Sequence, residues 1–103
     1  MKHWYVYMAV TSQGKFYTGI STDPQRRVYE HNYTNKGAKC LRGQRPIKLV
    51  WKRQARTKSA ALKEEYHIKH LSRIQKIGIL AGHLECLISH EELEAILFKQ
   101  GAF

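Results

Sequence analysis

Aromatic and aliphatic residues dominate the start of the chain and predict a hairpin of two strands. Trp4 to Val10 has almost no polar interruption, which is typical of a strand buried on both faces. Gln13-Gly14 follows as a turn signal, and Lys15 to Ile20 then has the composition of a returning strand. The two strands are therefore expected to pair side by side.

A third strand is predicted from Ile47 to Gln54, because polar and apolar side chains alternate there. With a period of two, Ile47, Leu49 and Trp51 are expected on one face. The opposite face then carries the intervening residues, Lys48, Val50 and Lys52. On this pattern Trp51 shares its face with Leu49.

Two helices are predicted by their start signals. Asp23 can cap a helix that has Pro24 at its first position, and this helix is expected to end near His31. A second helix begins after the strand, capped by Thr57 or Ser59, and runs to about Leu71.

Two capping boxes predict further helical structure. Ser72-x-x-Gln75 begins one helix, and Ser89-x-x-Glu92 begins a short amphipathic helix whose apolar residues are Leu93, Ile96 and Leu97. The whole order predicts an α+β domain, a small three-stranded antiparallel sheet flanked by helices. We expect one domain over residues 1–103, with a core over about 4–80 and a C-terminal helical extension over about 81–103.

The charge of the chain favours a polyanionic partner. Lysine and arginine number 18 against 8 acidic residues, so the net charge is +10. Nucleic acid is the commonest partner of so basic a domain, although a merely basic surface is the alternative. The loop from Asn32 to Pro46 is expected to bind the DNA backbone without sequence preference, through Lys36, Lys39, Arg42 and Arg45.

Export and membrane insertion are not expected from this sequence. It has no signal segment at its N-terminus and no apolar run of about 18 residues. Cys40 and Cys86 lie in unrelated contexts, and we interpret them as free thiols in a reducing cytoplasm.

Two tyrosines of the predicted hairpin are candidates for chemistry. Tyr7 and Tyr17 can lie on neighbouring strands, and cations near two adjacent phenols can lower their pKa from about 10. A phenol in such a place can act as a general base. The alternative is structural, since aromatic residues often pair across strands. Gly19 ends the second strand, where a glycine allows a ligand to approach the backbone closely.

The first helix brings candidates for phosphate recognition. Arg27 and His31 are four residues apart and therefore share a face. An arginine fork suits a phosphate and can stabilise the charge that builds on it during attack. Arg26 points about 100° away, so we expect it to contact the nucleic-acid backbone further off or to be solvated.

Adjacent glutamates on the second helix differ in their angular position. Glu65 lies roughly 25° from the centre of the apolar face and Glu64 roughly 75° away. A carboxylate turned toward the core without a pairing lysine is costly, and a hard divalent cation satisfies it. We therefore prefer Glu65 as a metal ligand and keep Glu64 as the second choice.

Taken together, these residues resemble the GIY-YIG nuclease superfamily. Tyr5-Val6-Tyr7 stands where the first family tripeptide is expected, and Tyr17-Thr18-Gly19 matches the second. Arg27 falls at the family's arginine, His31 at its histidine or tyrosine, and Glu65 at its glutamate. Further runs are similar to the short stand-alone bacterial branch, among them Lys36-Gly37-Ala38-Lys39 and Leu41-Arg42-Gly43.

The resemblance implies metal-dependent hydrolysis of phosphodiester bonds in DNA, in repair or recombination. It implies that Glu65 holds one Mg²⁺ or Mn²⁺ and that Tyr7 or Tyr17 takes a proton from the attacking water. It also implies that Arg27 neutralises the transition state and that His31 orients a tyrosine or shuttles a proton. The substrate is then single-stranded, branched or duplex DNA.

Departures from the family pattern leave other functions open. Tyr5 replaces the first glycine, and Ile20 stands where the nuclease domain of the bacterial excision-repair enzyme has a lysine. One alternative is a nucleic-acid-binding module with a vestigial site. Another is a subunit whose C-terminal amphipathic helix docks on a larger repair protein.

Overall fold

A computed structural model describes residues 3–82, 87–89, 91, 92, 94 and 95. Within them it has a single three-stranded sheet in the order β2-β1-β3, with both pairs of strands antiparallel. The elements are β1 Trp4–Val10, β2 Phe16–Ser21, α1 Pro24–Tyr33, a 3-10 helix Lys39–Gln44, β3 Lys48–Ala55, α2 Lys58–Lys69 and α3 Arg73–Gly82. The predicted α+β architecture is confirmed.

The hairpin turn is built by local hydrogen bonds that the sequence indicates. Gly14 adopts a φ of 77°, a left-handed conformation that glycine reaches without strain. The hydroxyl of Thr11 accepts hydrogen bonds from the backbone N–H groups of Gln13 and Lys15. These contacts fix the register in which β2 returns along β1.

The helix starts follow their predicted caps. Asp23 accepts the N–H of Arg26 at 3.2 Å, so α1 begins where expected, and it continues to Tyr33, two residues beyond the predicted end. Thr57 caps α2 by accepting the N–H of Ala60, which decides between the two proposed caps. The Ser72 capping box at the start of α3 is complete, with hydrogen bonds in both directions.

The predicted faces of β3 are wrong at Trp51. β1 pairs Met8 with Trp51 but Ala9 with Leu49, so Val50 is an extra residue in the ladder. This bulge turns Trp51 to the face of Val50, where both are fully buried. A period of two cannot anticipate a bulge, because nothing in the alternation marks the inserted residue.

The sheet carries a hydrophobic cluster on each face. Val6 and Met8 pack with Trp51 on the side that also receives Ile68 of α2 and Leu80 of α3. The other cluster contains Tyr7 and Ala9, which alternate with these residues along β1. Their partners are Val28 of α1, with Leu41 and Ile47 from the chain that follows it. The second face is the one that concerns function, because Tyr7 lies on it.

The C-terminal extension lies largely outside the described residues. Ser89 accepts the N–H of Glu92 at 3.1 Å, so this helix start is present. Leu93, Ile96 and Leu97, the apolar residues of the predicted amphipathic helix, fall outside the described part of the chain, as does Cys86. Cys40 is an exposed free thiol, as expected. In the part of the chain that the structure describes, no helix has the length and apolar character needed to cross a membrane.

Candidate active site

Tyr7 lies in the central strand, and its position depends on a glycine in the next strand. Tyr7 pairs directly with Gly19 across the hairpin, and its side chain is only 1 % exposed. A Cβ atom on Gly19 would lie 2.7 Å from the Tyr7 hydroxyl oxygen and 2.8 Å from the ring carbon that bears it. The space that a side chain at Gly19 would need is therefore filled by the phenol of Tyr7.

Tyr17 joins Tyr7 on the same face of the hairpin. It pairs with Ala9, two residues beyond Tyr7 along β1, so both side chains project to one side. The two ring centroids are 6.3 Å apart. The Tyr17 ring also meets the ring of His31 edge-on, with centroids 5.3 Å apart. Unlike Tyr7, Tyr17 keeps part of its side chain in solvent.

His31 comes from α1 and is held at both ring nitrogens. Its Nε2 lies 3.0 Å from the Tyr7 hydroxyl, and its Nδ1 accepts the backbone N–H of Ala38 at 3.1 Å. A nitrogen that accepts a backbone N–H carries no proton of its own, so the neutral imidazole is protonated at Nε2. Nε2–H then donates to the oxygen of Tyr7, and the phenolic hydrogen of Tyr7 is left to donate elsewhere.

The protonation of His31 agrees with this arrangement. The side chain is 1 % exposed, and burial together with the charges of Arg27 and Arg45 lowers its pKa to about 4, although Glu30 opposes the shift. His31 is therefore neutral at pH 7.

Both phenols have a raised pKa, which contradicts the expectation that nearby cations lower it. Burial raises the pKa of Tyr7 well above 10, and the Tyr17 phenol adds to the effect. Burial is also the main cause at Tyr17, followed by Cys40. Arg27 acts in the opposite direction on both phenols, but desolvation outweighs it. The structure therefore holds two neutral phenols at pH 7.

Arg27 reaches the same site from α1. Its charge acts on both phenols, and its hydrogen bond to Tyr7 favours the phenolate. One terminal nitrogen, Nη1, donates to the carbonyl of Lys36 at 2.8 Å and lies 3.4 Å from the carboxylate of Glu30. Arg26 also contacts Glu30, at 3.7 Å, but its side chain is 72 % exposed. The helical geometry thus separates the two arginines as expected.

The two glutamates of α2 have different partners. Glu64 lies 2.8 Å from the guanidinium of Arg53, in an ion pair outside the site. Glu65 forms a longer ion pair, at 3.7 Å, with Lys69 one helical turn later, and its side chain is 19 % exposed. The charge of Glu65 raises the pKa of Tyr7 and of Tyr17, so this carboxylate lies within electrostatic range of both phenols. Tyr7, Tyr17, His31 and Arg27 are thus brought together, and Glu65 acts on the two phenols through its charge.

Comparison with protein families gives this arrangement its context. The family model described as "GIY-YIG catalytic domain" matches residues 3–77, which include every residue of the cluster. The chain belongs to the GIY-YIG family. The family is one of nucleases, so the chain is a member of a nuclease superfamily.

Relatives of this GIY-YIG domain occur in several bacteria and are named UPF0213 proteins. Those of Vibrio cholerae and Sodalis glossinidius are 48 % and 47 % identical, over 77 % and 89 % of this chain and 78 % and 89 % of theirs. An Aeromonas hydrophila relative is 45 % identical over 76 % of this chain. The matched part is only 57 % of the length of that relative. The solution NMR structure of the Bacillus halodurans UPF0213 protein BH0048 matches with a TM-score of 0.50 and 39 % identity, covering 77 % of this chain and 83 % of that one.

The basic loop of this GIY-YIG domain is partly engaged in the fold itself. Lys36 and Lys39 are exposed, and Arg42 is exposed while donating to the carbonyl of Asn35 at 3.1 Å. Arg45 donates from Nε to the carbonyl of His31 at 2.6 Å and from Nη2 to that of Thr34 at 2.8 Å. Arg45 therefore closes the C-terminal end of α1, a role that its charge alone did not indicate.

The carboxylate of Glu65 is the protein ligand that the cluster offers to a divalent cation. Among the described residues there is no group of three or more His, Cys, Asp or Glu side chains that can hold a metal ion. Mg²⁺ is commonly bound by one or two carboxylates together with water and substrate phosphate oxygens. Glu65 is a carboxylate with 19 % of its side chain exposed, and a cation bound to it would replace Lys69 as its partner.

Three residues near the site were not identified from the sequence as functional. The carboxylate of Glu30 contacts the guanidinium groups of both Arg26 and Arg27. Gly37 and Ala38 pack against His31. The run Lys36-Gly37-Ala38-Lys39 was noted only for its resemblance to the family. A physical reason was missing because the contacts are made by backbone atoms, whose partners depend on how the loop folds.

Proposed function

We propose that this domain is a divalent-cation-dependent endonuclease that hydrolyses phosphodiester bonds in DNA. The observation that carries the proposal is the meeting of Tyr7, Tyr17, His31 and Arg27 on one face of the hairpin, with the charge of Glu65 in electrostatic range of both phenols. Side chains so distant in sequence meet more readily for a shared ligand than by accident. Membership of a nuclease family supports the same conclusion.

Glu65 is the residue that would hold the cation, Mg²⁺ or Mn²⁺. When bound, the cation supplies positive charge next to a scissile phosphate and polarises its oxygens. Glu64 is the second choice because its ion pair with Arg53, at 2.8 Å, is shorter than the 3.7 Å pair of Glu65 with Lys69. The side chain of Glu65 is 19 % exposed, and a carboxylate partly withdrawn from water attracts a cation more strongly than a fully solvated one.

Arg27 would bind the phosphate that is attacked. Nη1 is anchored on the carbonyl of Lys36, which fixes the direction of the guanidinium plane. A fixed donor costs no reorganisation when negative charge builds on the phosphate oxygens, so it stabilises the transition state more than the ground state.

The tyrosines would have different tasks in this mechanism. Tyr7 already accepts a hydrogen bond from His31, so its own hydroxyl hydrogen is available to donate to a phosphate oxygen. Tyr17 is partly exposed, so its oxygen can accept a hydrogen bond from the attacking water and release its own proton to solvent. His31 holds Tyr7 in place rather than taking a proton, because its pKa of about 4 keeps it neutral.

The substrate is bound by the exposed cations beside the site. Lys36, Lys39 and Arg42, with Arg26 of α1, would contact the phosphates of single-stranded, branched or duplex DNA. The expected close approach of a ligand at Gly19 is not part of the proposal, because the phenol of Tyr7 fills the volume beside this residue. Such contacts position the nucleic acid without reading its sequence. DNA repair or recombination in the cytoplasm is the setting that we propose, and the C-terminal helix is a candidate surface for a protein partner.

A nicking assay tests the proposed activity. Supercoiled, branched and single-stranded DNA are each incubated with the protein and Mg²⁺ or Mn²⁺, beside Glu65→Gln. We expect cleavage of at least one substrate that is lost on chelation with EDTA and in Glu65→Gln. Cleavage that survives in Glu65→Gln would reject this residue as the metal ligand.

A binding module without catalysis is the second candidate function. It is favoured by the neutral state of both phenols and by the lack of a preformed multi-ligand metal site among the described residues. In this case every substrate binds in a salt-dependent way, none is cut with either cation, and Glu65→Gln binds as the parent does.

A further inference from the structure

The segment Lys36–Ala38, between α1 and the 3-10 helix, contacts both candidate side chains of α1 through its backbone. The carbonyl of Lys36 accepts a hydrogen bond from Nη1 of Arg27 at 2.8 Å. Two residues later, the N–H of Ala38 donates to Nδ1 of His31 at 3.1 Å. One short segment therefore fixes the guanidinium of Arg27 and the ring of His31 at the same time.

Gly37 allows this segment to approach α1 so closely. A Cβ atom at Gly37 would lie 2.5 Å from the Cα of His31 and 3.0 Å from its Nδ1. It would also lie 3.0 Å from the carbonyl oxygen of Glu30. Two of these neighbours are backbone atoms of a helix, which cannot rotate away, so any side chain at Gly37 must push the segment off His31.

The approach of the segment is also held by hydrogen bonds at its ends. The hydroxyl of Thr34 accepts the N–H of Lys36 at 3.1 Å and donates to the carbonyl of Glu30 at 2.9 Å. Arg45 donates to the carbonyls of His31 and Thr34 from the far side of the loop. The segment is therefore tied to the last turn of α1 on both sides, as a fixed element and not as an extended basic loop.

We propose that Lys36–Ala38 is a positioning element of the candidate active site and that Gly37 is the residue on which it depends. The Ala38 N–H holds His31 in the tautomer that has its proton on Nε2. That tautomer makes Tyr7 an acceptor from His31 and a donor toward the phosphate, while the Lys36 carbonyl aims Arg27 at the same point. The proposal rests on the proposed function for its catalytic consequence, but its structural content can be measured separately.

The first test compares two glycine substitutions in the same loop. Gly37→Ala introduces the clash with His31, whereas an added Cβ at Gly43 meets nothing within 4 Å, so Gly43→Ala is the matched control. Each protein is labelled with ¹⁵N, and the ring nitrogens of His31 are observed by long-range ¹⁵N–¹H NMR at pH 7. We expect the Nε2–H tautomer in the parent and in Gly43→Ala, and a mixed or Nδ1–H state in Gly37→Ala.

Cleavage kinetics give the second measurement. Displacing a catalytic group by about 1 Å can cost about 100-fold in rate. We expect Gly37→Ala to lower kcat by about 10- to 100-fold with KM for the DNA within about twofold, because the exposed cations remain. Gly43→Ala should keep the parent kcat and KM.

A backbone ester keeps the proposal testable if Gly37→Ala does not fold. Replacing the amide between Gly37 and Ala38 by an ester removes the single N–H that reaches Nδ1 and adds no atoms that clash. The expected result is again loss of the pure Nε2–H tautomer, with thermal unfolding still cooperative.

Two outcomes would overturn the proposal. One is a parent protein whose His31 carries its proton on Nδ1. The other is a folded Gly37→Ala or ester protein that keeps both the Nε2–H tautomer and the parent kcat. Failure of the proposed nuclease function looks different, since the parent then cuts no DNA and the NMR comparison alone decides whether the segment positions His31.

Discussion

The carboxylate of Glu64 lies 2.8 Å from the guanidinium of Arg53, while the neighbouring Glu65 lies 3.7 Å from the ammonium of Lys69. Arg53 also stacks over the ring of Trp51, at 5.1 Å from its centroid. Glu64 therefore belongs to the packing of α2 on β3, whereas Glu65 makes a longer ion pair along its own helix.

Substitution of these two glutamates should have opposite effects. Glu65→Gln should lower the rate of metal-dependent cleavage by a factor of about 100 or more, as removal of a catalytic group commonly does. Its stability should change little. Glu64→Gln should remain active and lose up to about 1 kcal/mol of unfolding free energy, since its ion pair is partly exposed. Cleavage rates and urea unfolding of both variants test this prediction. An inactive Glu64→Gln beside an active Glu65→Gln would show that the helical phase was misassigned.

The two tyrosines should also separate in their effects on stability. Tyr7→Phe leaves the buried Nε2–H of His31 without its acceptor, so we expect a loss of about 1–3 kcal/mol in addition to lower turnover. Tyr17→Phe removes a partly exposed hydroxyl and should lower turnover by orders of magnitude with little change in stability. Denaturant unfolding and single-turnover cleavage of each variant provide the comparison. Equal destabilisation by both substitutions would contradict the hydrogen bond from His31 to Tyr7 as the source of the difference.

The stability of the domain should fall on mild acidification because of His31. Its pKa is about 4 in the folded chain, against about 6.5 when it is unfolded. Between these values the unfolded chain binds a proton that the folded chain does not, so the unfolding free energy decreases as the pH falls from 6.5 to 4. The contribution of His31 is on the order of 3 kcal/mol. Urea unfolding across this range should show a shallower dependence in His31→Gln than in the parent.

Arg45 should differ from the exposed cations of the same loop. Arg45→Gln removes two charge-assisted hydrogen bonds to backbone carbonyls at the end of α1, and we expect a loss of about 2 kcal/mol of unfolding free energy. Lys39→Gln is the comparison, because this exposed side chain should change stability by no more than about 0.5 kcal/mol. Thermal unfolding of the two variants measures the difference. Equal stability would show that Arg45 contributes little to the end of α1.

Binding of DNA should depend on salt through the exposed cations. The combined change of Lys36, Lys39 and Arg42 to glutamine should flatten the dependence of log Kd on log salt by about 0.7 to 0.9 for each phosphate contact that is lost. Fluorescence anisotropy with a labelled oligonucleotide, without metal and at several salt concentrations, is the measurement. An unchanged slope would show that the loop is not the binding surface.

Local sequence signals were sufficient for much of the fold. Gly14, Asp23 and Thr57 each satisfy a nearby backbone requirement, so the hairpin turn and the two helix starts could be predicted from neighbouring residues alone. The spacing of apolar residues on α2 favours Glu65 over Glu64 as a metal ligand, and this choice stays a prediction. These features depend on contacts within about four residues.

The remaining features depend on tertiary packing, which local patterns do not contain. The bulge at Val50 is decided by how β3 lies along β1. The backbone contacts of Gly37 and the carbonyl partners of Arg45 exist only once the loop has folded against α1. The raised pKa values of both phenols follow from burial. The number of cations nearby in the sequence carries no information about how deeply a side chain is buried.

The pairing of Gly19 with Tyr7 has a consequence for engineering. Because the phenol occupies the volume of the absent side chain, the two positions form one unit, and neither can be transplanted into another protein without the other. Tyr7, Tyr17 and Gly19 all belong to a single antiparallel hairpin, so this half of the site is a compact module for grafting onto a different scaffold. The half that comes from α1 is not portable in this way, since the orientation of its side chains is imposed by a loop that must be rebuilt together with the helix.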